Sequence, residues 1–125
     1  GRDHIQITCI ADGTLLDFIK PADMYSLFGN ALDNAIEAVM RLDESKRTIS
    51  LFVKRVGDMI SIHVENYFEG SPTLVRGLPK TTKKDEEYHG YGMLSMKMIA
   101  EKYGGTLAVE FSGSIFCLNI MFPAR

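Results

Sequence analysis

At 125 residues, 46% apolar and 24% charged, with no Pro- or Ser-rich tract, the chain is long enough to bury one two-layer core and too short for two. Its formal net charge of -2, with lysines and arginines scattered, provides no basic stripe for a nucleic acid. No apolar run approaches the roughly 18 residues that cross a bilayer, and Gly1-Arg2-Asp3-His4 does not open a signal peptide.

Residues 4–11 alternate apolar with polar side chains and predict a first strand, followed by an Asp12-Gly13 turn and an apolar stretch from Leu15 to Ile19. From Pro21 to about Leu42 the period lengthens. Met24, Leu27, Phe28, Ala31, Leu32, Ala35 and Val39 recur at spacings of three and four, the apolar stripe of an amphipathic helix. Pro21 suits a first helical position, and Asp23 with Ser26 three residues on suits a cap; both starts are open. Thr48–Val56 and Met59–Asn66 alternate strongly on either side of Gly57-Asp58, the composition of a tight hairpin.

Between Tyr67 and His89 the periodicity stops, and Gly70, Pro72, Gly77, Pro79 and the polar run from Lys80 to Glu87 take its place. A patternless connection of about 20 residues inside a compact domain points to a lid or binding loop, placed here at about 67–90. Tyr91–Tyr103 predicts a second helix that stops at Gly104-Gly105. Thr106–Phe111 and Ser114–Phe122, joined by Ser112-Gly113, predict two closing strands. This order of elements implies an α+β fold: one domain over residues 1–125, with helices on one face of a mixed, mostly antiparallel sheet. Cys9 and Cys117 both lie in apolar strand runs, so core positions in a reducing cytosol are expected and a disulfide is not.

Three groups of residues carry chemistry. On the first helix Asn30, Asp33, Asn34 and Glu37 fall within about 100° of arc, opposite the apolar stripe. Asparagine is a mediocre helix former, so two of them one turn apart call for a reason. One account is a solvated face; the other is a floor for a polyphosphate and its metal, with Asn34 as the Mg²⁺ ligand, because a neutral amide holds the cation without repelling phosphate. Second, His89-Gly90-Tyr91-Gly92 stands where the polar loop meets the second helix. Glycines there permit positive φ and close backbone approach, and a helix start attracts anions; the other account of these glycines is a flexible loop-to-helix hinge. Third, Lys80-Thr81-Thr82-Lys83-Lys84 puts hydroxyl and ammonium donors into the loop, where the other account is a solvated charge run. Taken in order they describe a nucleotide clamp.

These residues resemble a known family. Leu27 to Ala38, with Asn30 and Asn34 at its centre, is similar to the N-box of GHKL proteins, and His89-Gly90-Tyr91-Gly92-Met93 followed by Lys97 resembles their second glycine box. Thr82 and Lys83 resemble lid residues that reach the phosphates, and Glu101 to Gly105 the end of the following helix. The similarity is greatest to catalytic domains of receptor histidine kinases of the AgrC type. It implies the Bergerat two-layer α/β sandwich, ATP bound with Mg²⁺, Asn34 on the metal and Asn30 near the phosphates. It also implies γ-phosphoryl transfer to a histidine on a separate dimerisation domain, a downstream response regulator, and a cytoplasmic position in a membrane-anchored receptor.

Two departures stand out. Where most of the superfamily has an aspartate that accepts from the adenine amino group, this chain has Asn66, a neutral and weaker acceptor. Tyr88 replaces a frequent glycine. Asn30 stands where hydrolytic members carry a glutamate base, so autonomous hydrolysis is disfavoured, while phosphoryl transfer depends mainly on positioning and charge. None of His4, His63 and His89 suits a phospho-acceptor, so the acceptor is expected elsewhere and the isolated domain is expected to be monomeric. Competing expectations are a degenerate GHKL module without productive ATP binding, and a serine kinase of the anti-sigma-factor type.

Overall fold

A computed structural model of the chain describes residues 4–69, 74–75, 78–79 and 91–125. Strand β1 (Gln6–Ala11) leads through a 3-10 turn (Gly13–Leu16) to helix α1 (Pro21–Met40), and a second 3-10 turn (Glu44–Lys46) precedes β2 (Thr48–Val56) and β3 (Met59–Tyr67). A short ribbon of β4 (Leu74–Val75) and β5 (Leu78–Pro79) follows, then α2 (Tyr91–Lys102), β6 (Thr106–Ser112) and β7 (Ile115–Pro123).

The main sheet runs β1-β2-β3-β7-β6. Among the described strands only β1 pairs in parallel, with β2, as a strand–helix–strand crossover requires; the other neighbours are antiparallel. Helix α1 packs on β2 and β3, α2 on β6 and β7, and the two helices on each other, which gives the α+β sandwich expected from the order of elements. Between the layers lie Leu27, Ala31, Ala35 and Val39 of α1, Met96 and Ala100 of α2, and the inward residues of β2, β3 and β7, among them Ile49, Ile62, Val64, Leu118, Ile120 and Phe122. Each fully buried Val, Leu, Ile, Met or Phe side chain contributes about 1.5–3 kcal/mol.

Local chemistry accounts for the boundaries. Pro21 is the first helical residue of α1 and Lys20 the uncapped residue before it, which decides between the two predicted starts. The Asp23 carboxylate turns instead to α2, where it accepts from Lys102 Nζ at 2.8 Å and from the Tyr103 hydroxyl, while that hydroxyl accepts from Lys20 N at 3.1 Å. Hydrogen bonds first from Lys102 and then from Tyr103 hold the Asp23 carboxyl below its usual range, and the same contact raises the Lys102 ammonium.

Helix α2 ends as predicted. Gly104 has φ +77°, and Gly105 N reaches back to Ala100 O at 2.8 Å while Gly104 N reaches Glu101 O at 3.0 Å, the paired bonds of a Schellman cap. Gly105 has a second reason to be glycine, since a Cβ there would lie 2.3 Å from Met121 O.

Two expectations are corrected. Cys9 is exposed and Cys117 half-buried, so neither is a core residue. Cys9 sits on an edge strand that no layer covers, every residue of β1 being exposed, and Cys117 points to the side of the sheet away from the helices. The patternless segment begins one residue later than expected, because Tyr67 still pairs with Ile115. It contains the β4–β5 ribbon, and most of the expected lid, including Thr82, Lys83, His89 and Gly90, lies outside the described residues.

Candidate functional site

The polar face predicted for α1 is present. Asn30, Asn34 and Glu37 are half-buried and Asp33 is exposed, with Asn34 flanking the buried stripe and the other three further round the helix. Asn30 Nδ2 donates to Ser26 Oγ one turn earlier at 3.3 Å, and Glu37 pairs with Arg41 at 3.5 Å across the next turn. No described residue hydrogen-bonds the Asn34 amide, whose oxygen is the hard ligand type that Mg²⁺ takes.

The start of α2 meets this face. A Cβ on Gly92 would lie 3.0 Å from Asn30 Oδ1 and 3.5 Å from its Cγ, so glycine at this position lets the two helices bring Asn30 and the second glycine box together. Gly92 is helical and its φ is not positive; close approach rather than left-handed backbone accounts for it, which narrows the sequence argument at this position. Met93 is buried beneath the same turn and Tyr91 is exposed beside it.

Asn66 supplies the third part. It lies on β3 in phase with Ile60, Ile62 and Val64, so it faces the helix layer, and it is only 3% exposed. Its Nδ2 donates to Tyr67 O at 2.8 Å, but its Oδ1 is buried with no partner among the described residues. A buried acceptor left unpaired costs about 1–3 kcal/mol. Such a cost in the free domain is offset when a ligand brings an N–H, which is the complement that the amino group of adenine presents.

The arrangement is therefore an amide-lined face on α1, a glycine-permitted helix junction against it, and an unpaired acceptor on the inner side of the sheet. All three fit a purine nucleotide with its metal. Sequence reasoning missed Ser26 as the partner of Asn30; its spacing of four from Asn30 was the available signal. It also missed the cluster of His63, Glu65 and Cys117 on the other side of the sheet, which depends on strand pairing.

Comparison with known proteins gives concordant findings. A family profile described as GHKL domain matches residues 19–123. Among curated proteins, the chain is 29% identical to the sensor histidine kinase DpiB of Escherichia coli (strain K12), over 89% of this chain and 22% of that protein. It is 29% identical to the sensor histidine kinase CitA of Klebsiella pneumoniae, over 76% of this chain and 18% of that protein. The chain thus spans about a fifth of the length of these relatives. Among solved structures, the catalytic domain of histidine kinase ThkA superposes with a TM-score of 0.69 at 17% identity, over 98% of this chain and 82% of that one. The blue-light activated histidine kinase EL346 of Erythrobacter litoralis gives 0.65 at 18% identity, over 99% and 36%.

Proposed function

We propose, from the premise that this chain belongs to the GHKL domain family, that it is the ATP-binding catalytic domain of a sensor histidine kinase. The observation that carries this reading is the buried Oδ1 of Asn66, an acceptor with no partner among the described residues, on the side of the sheet where α1 and α2 pack. It also speaks against the degenerate module, in which nothing offsets the cost of keeping that atom unpaired.

In this reading Asn66 orients the base, Asn34 holds Mg²⁺, and Asn30, positioned by Ser26 and Gly92, lies along the phosphates. Asp33 and Glu37 complete the polar rim, with Glu37 steered by Arg41. Met93 packs under the helix start. Thr82, Lys83, His89, Gly90 and Tyr91 are assigned to the phosphate side by their resemblance to the family's motifs. Bound Mg²⁺ supplies charge neutralisation for the phosphates. The protein's own part is positioning, since none of these groups is a strong base and phosphoryl transfer gains mainly from alignment and charge.

The acceptor histidine belongs to a dimerisation domain elsewhere in the parent protein, in keeping with the fifth of a sensor kinase that this chain spans, and a response regulator takes the phosphoryl group onward. Membership of the AgrC-type branch and a cytoplasmic position in a membrane-anchored receptor are parts of the same proposal. Among the described residues no helix is long and apolar enough to cross a membrane.

Calorimetric titration with a non-hydrolysable ATP analogue tests the reading. Micromolar to sub-millimolar affinity that depends on Mg²⁺ and is lost in Asn34→Ala, with the unfolding midpoint unchanged, is expected. No binding up to millimolar nucleotide would make the degenerate module the better reading. Acid-stable phosphate on a protein serine, instead of acid-labile phosphohistidine, would identify the anti-sigma-factor type.

A further inference from the structure

The side of the sheet away from the helices gathers a set of side chains that nucleotide binding does not use. His63 and Glu65 are two residues apart on β3 and so project to the same side. In the β3–β7 register Cys117 lies opposite Glu65, and Asn119 opposite His63. His63 Nε2 is 3.6 Å from Glu65 Oε2, Cys117 Sγ is 3.8 Å from the same oxygen, and the three ligand atoms all lie within 4.8 Å of one another. Zinc bonds of about 2.0–2.3 Å at tetrahedral angles place ligand atoms roughly 3.3–3.6 Å apart, so small side-chain adjustments close the set.

A second observation concerns orientation. His63 Nδ1 is 2.5 Å from Asn119 Oδ1, and since an amide oxygen only accepts, Nδ1 carries the proton. That leaves the Nε2 lone pair aimed toward Glu65 and Cys117. A histidine whose far nitrogen donates to a carbonyl or carboxylate is the usual support of a metal-ligating imidazole. We propose that His63 Nε2, a Glu65 carboxylate oxygen and Cys117 Sγ form a binding site for a zinc-class divalent cation, positioned by Asn119.

The donor set selects the metal. One sulfur, one imidazole and one carboxylate suit Zn²⁺ and its analogue Co²⁺, whereas Mg²⁺ and Ca²⁺ take oxygen. All three residues are half-buried on paired strands, which gives a rigid frame with an open side for entry. In the β6–β7 register Glu110 lies opposite Cys117, at an exposed position beside the three ligands. Sulfur ligates a divalent cation as thiolate, so binding releases the Cys117 proton to solvent. The exposed pair of His4 with Glu44, at 3.8 Å, has no third ligand among the described residues and is no rival. The site is on the opposite side of the sheet from α1 and α2, so it stands whether or not the nucleotide reading holds.

The test uses the reduced 125-residue chain titrated with Co²⁺, followed by Zn²⁺ competition against a chromophoric chelator and proton release read with an indicator dye. Saturation at one equivalent is expected, with a near-ultraviolet thiolate-to-cobalt absorption and one proton released. Cys117→Ser should abolish that absorption, and Asn119→Leu should weaken Zn²⁺ by about 10-fold or more without moving the unfolding midpoint. Cys9→Ser should change nothing. Should Cys117→Ser fail to fold, His63→Gln, on the solvent side of its strand, should lower Zn²⁺ affinity by about 10-fold or more. Absence of a saturable cobalt absorption, or its loss in Cys9→Ser while Cys117→Ser retains it, would overturn the proposal.

Discussion

Consecutive residues of β3 occupy two different environments. Ile60, Ile62, Val64 and Asn66 face the helices and are buried, while His63 and Glu65 face outward and are half-buried. On the outer side polar groups find one another along and across strands: His63 meets Glu65 on its own strand and Asn119 on the next, and Glu65 meets Cys117. On the inner side of this strand the one amide keeps an acceptor with no described partner. Pairing is cheap where water can stand in for a missing partner and demanding where it cannot, so the unpaired inner acceptor is the more informative of the two.

The largest difference between the sides should appear in stability. Phe122 faces inward, is fully buried, and meets the Phe18 ring at 5.4 Å, so Phe122→Ala should cost about 3–5 kcal/mol. Phe52, half-buried outside and 6.0 Å from the His63 ring, should cost under about 2 kcal/mol when cut to alanine. Urea unfolding measures both; equal losses would show that the outer side is covered in solution.

Binding should separate the neighbours Asn66 and Glu65. Asn66→Leu removes an unpaired acceptor together with its bond to Tyr67 O, and should shift stability by under about 1 kcal/mol. The same change should weaken ATP-analogue affinity by about 10-fold, the equivalent of one hydrogen bond. Glu65→Gln should leave that affinity unchanged. Calorimetry on the two variants decides, and a loss in Glu65→Gln would put the nucleotide on the wrong side of the sheet.

The smallest effect is in pH dependence, and it belongs to neither side. Asp23 is held below its ordinary value of 3.8 by Lys102 and Tyr103, so the unfolded chain binds more protons there in the acid range. Its contribution to stability is complete above the ordinary value and is lost as pH falls through the lower folded value. Lys102, raised above 10.5, keeps its contribution below that value and loses it as pH rises through the folded one. Asp23→Asn should flatten the acid limb of a plot of urea midpoint against pH. If that limb survives in Asp23→Asn and disappears in Glu65→Gln, the titrating group lies on the outer side of the sheet.

Much of this was readable along the chain because its signals are local. The spacing of Leu27, Ala31, Ala35 and Val39 marks a buried stripe, and with it the polar face bearing Asn30 and Asn34, whatever the helix packs against. Gly57, Gly104 and Gly113 mark the turns and the α2 cap because their positive φ strongly favours glycine. The cysteines went the other way. An apolar run identifies a strand without saying which sides of it will be covered, and β1 turned out to be an exposed edge.

By itself, then, the sequence determined the two helices, the five strands of the main sheet, their order and the candidate nucleotide residues on α1 and at the start of α2, since each depends on periodicity or backbone preference within a few residues. Only the tertiary structure decided that β1 lies parallel at the edge, that Gly92 makes room for Asn30, that Asn66 keeps a buried acceptor with no partner among the described residues, and that His63, Glu65 and Cys117 converge. Those facts rest on which strands become neighbours and in what register. Residues more than 50 positions apart, such as Glu65 and Cys117, are brought within hydrogen-bonding range by the burial of the whole inner face, a property that no short segment carries.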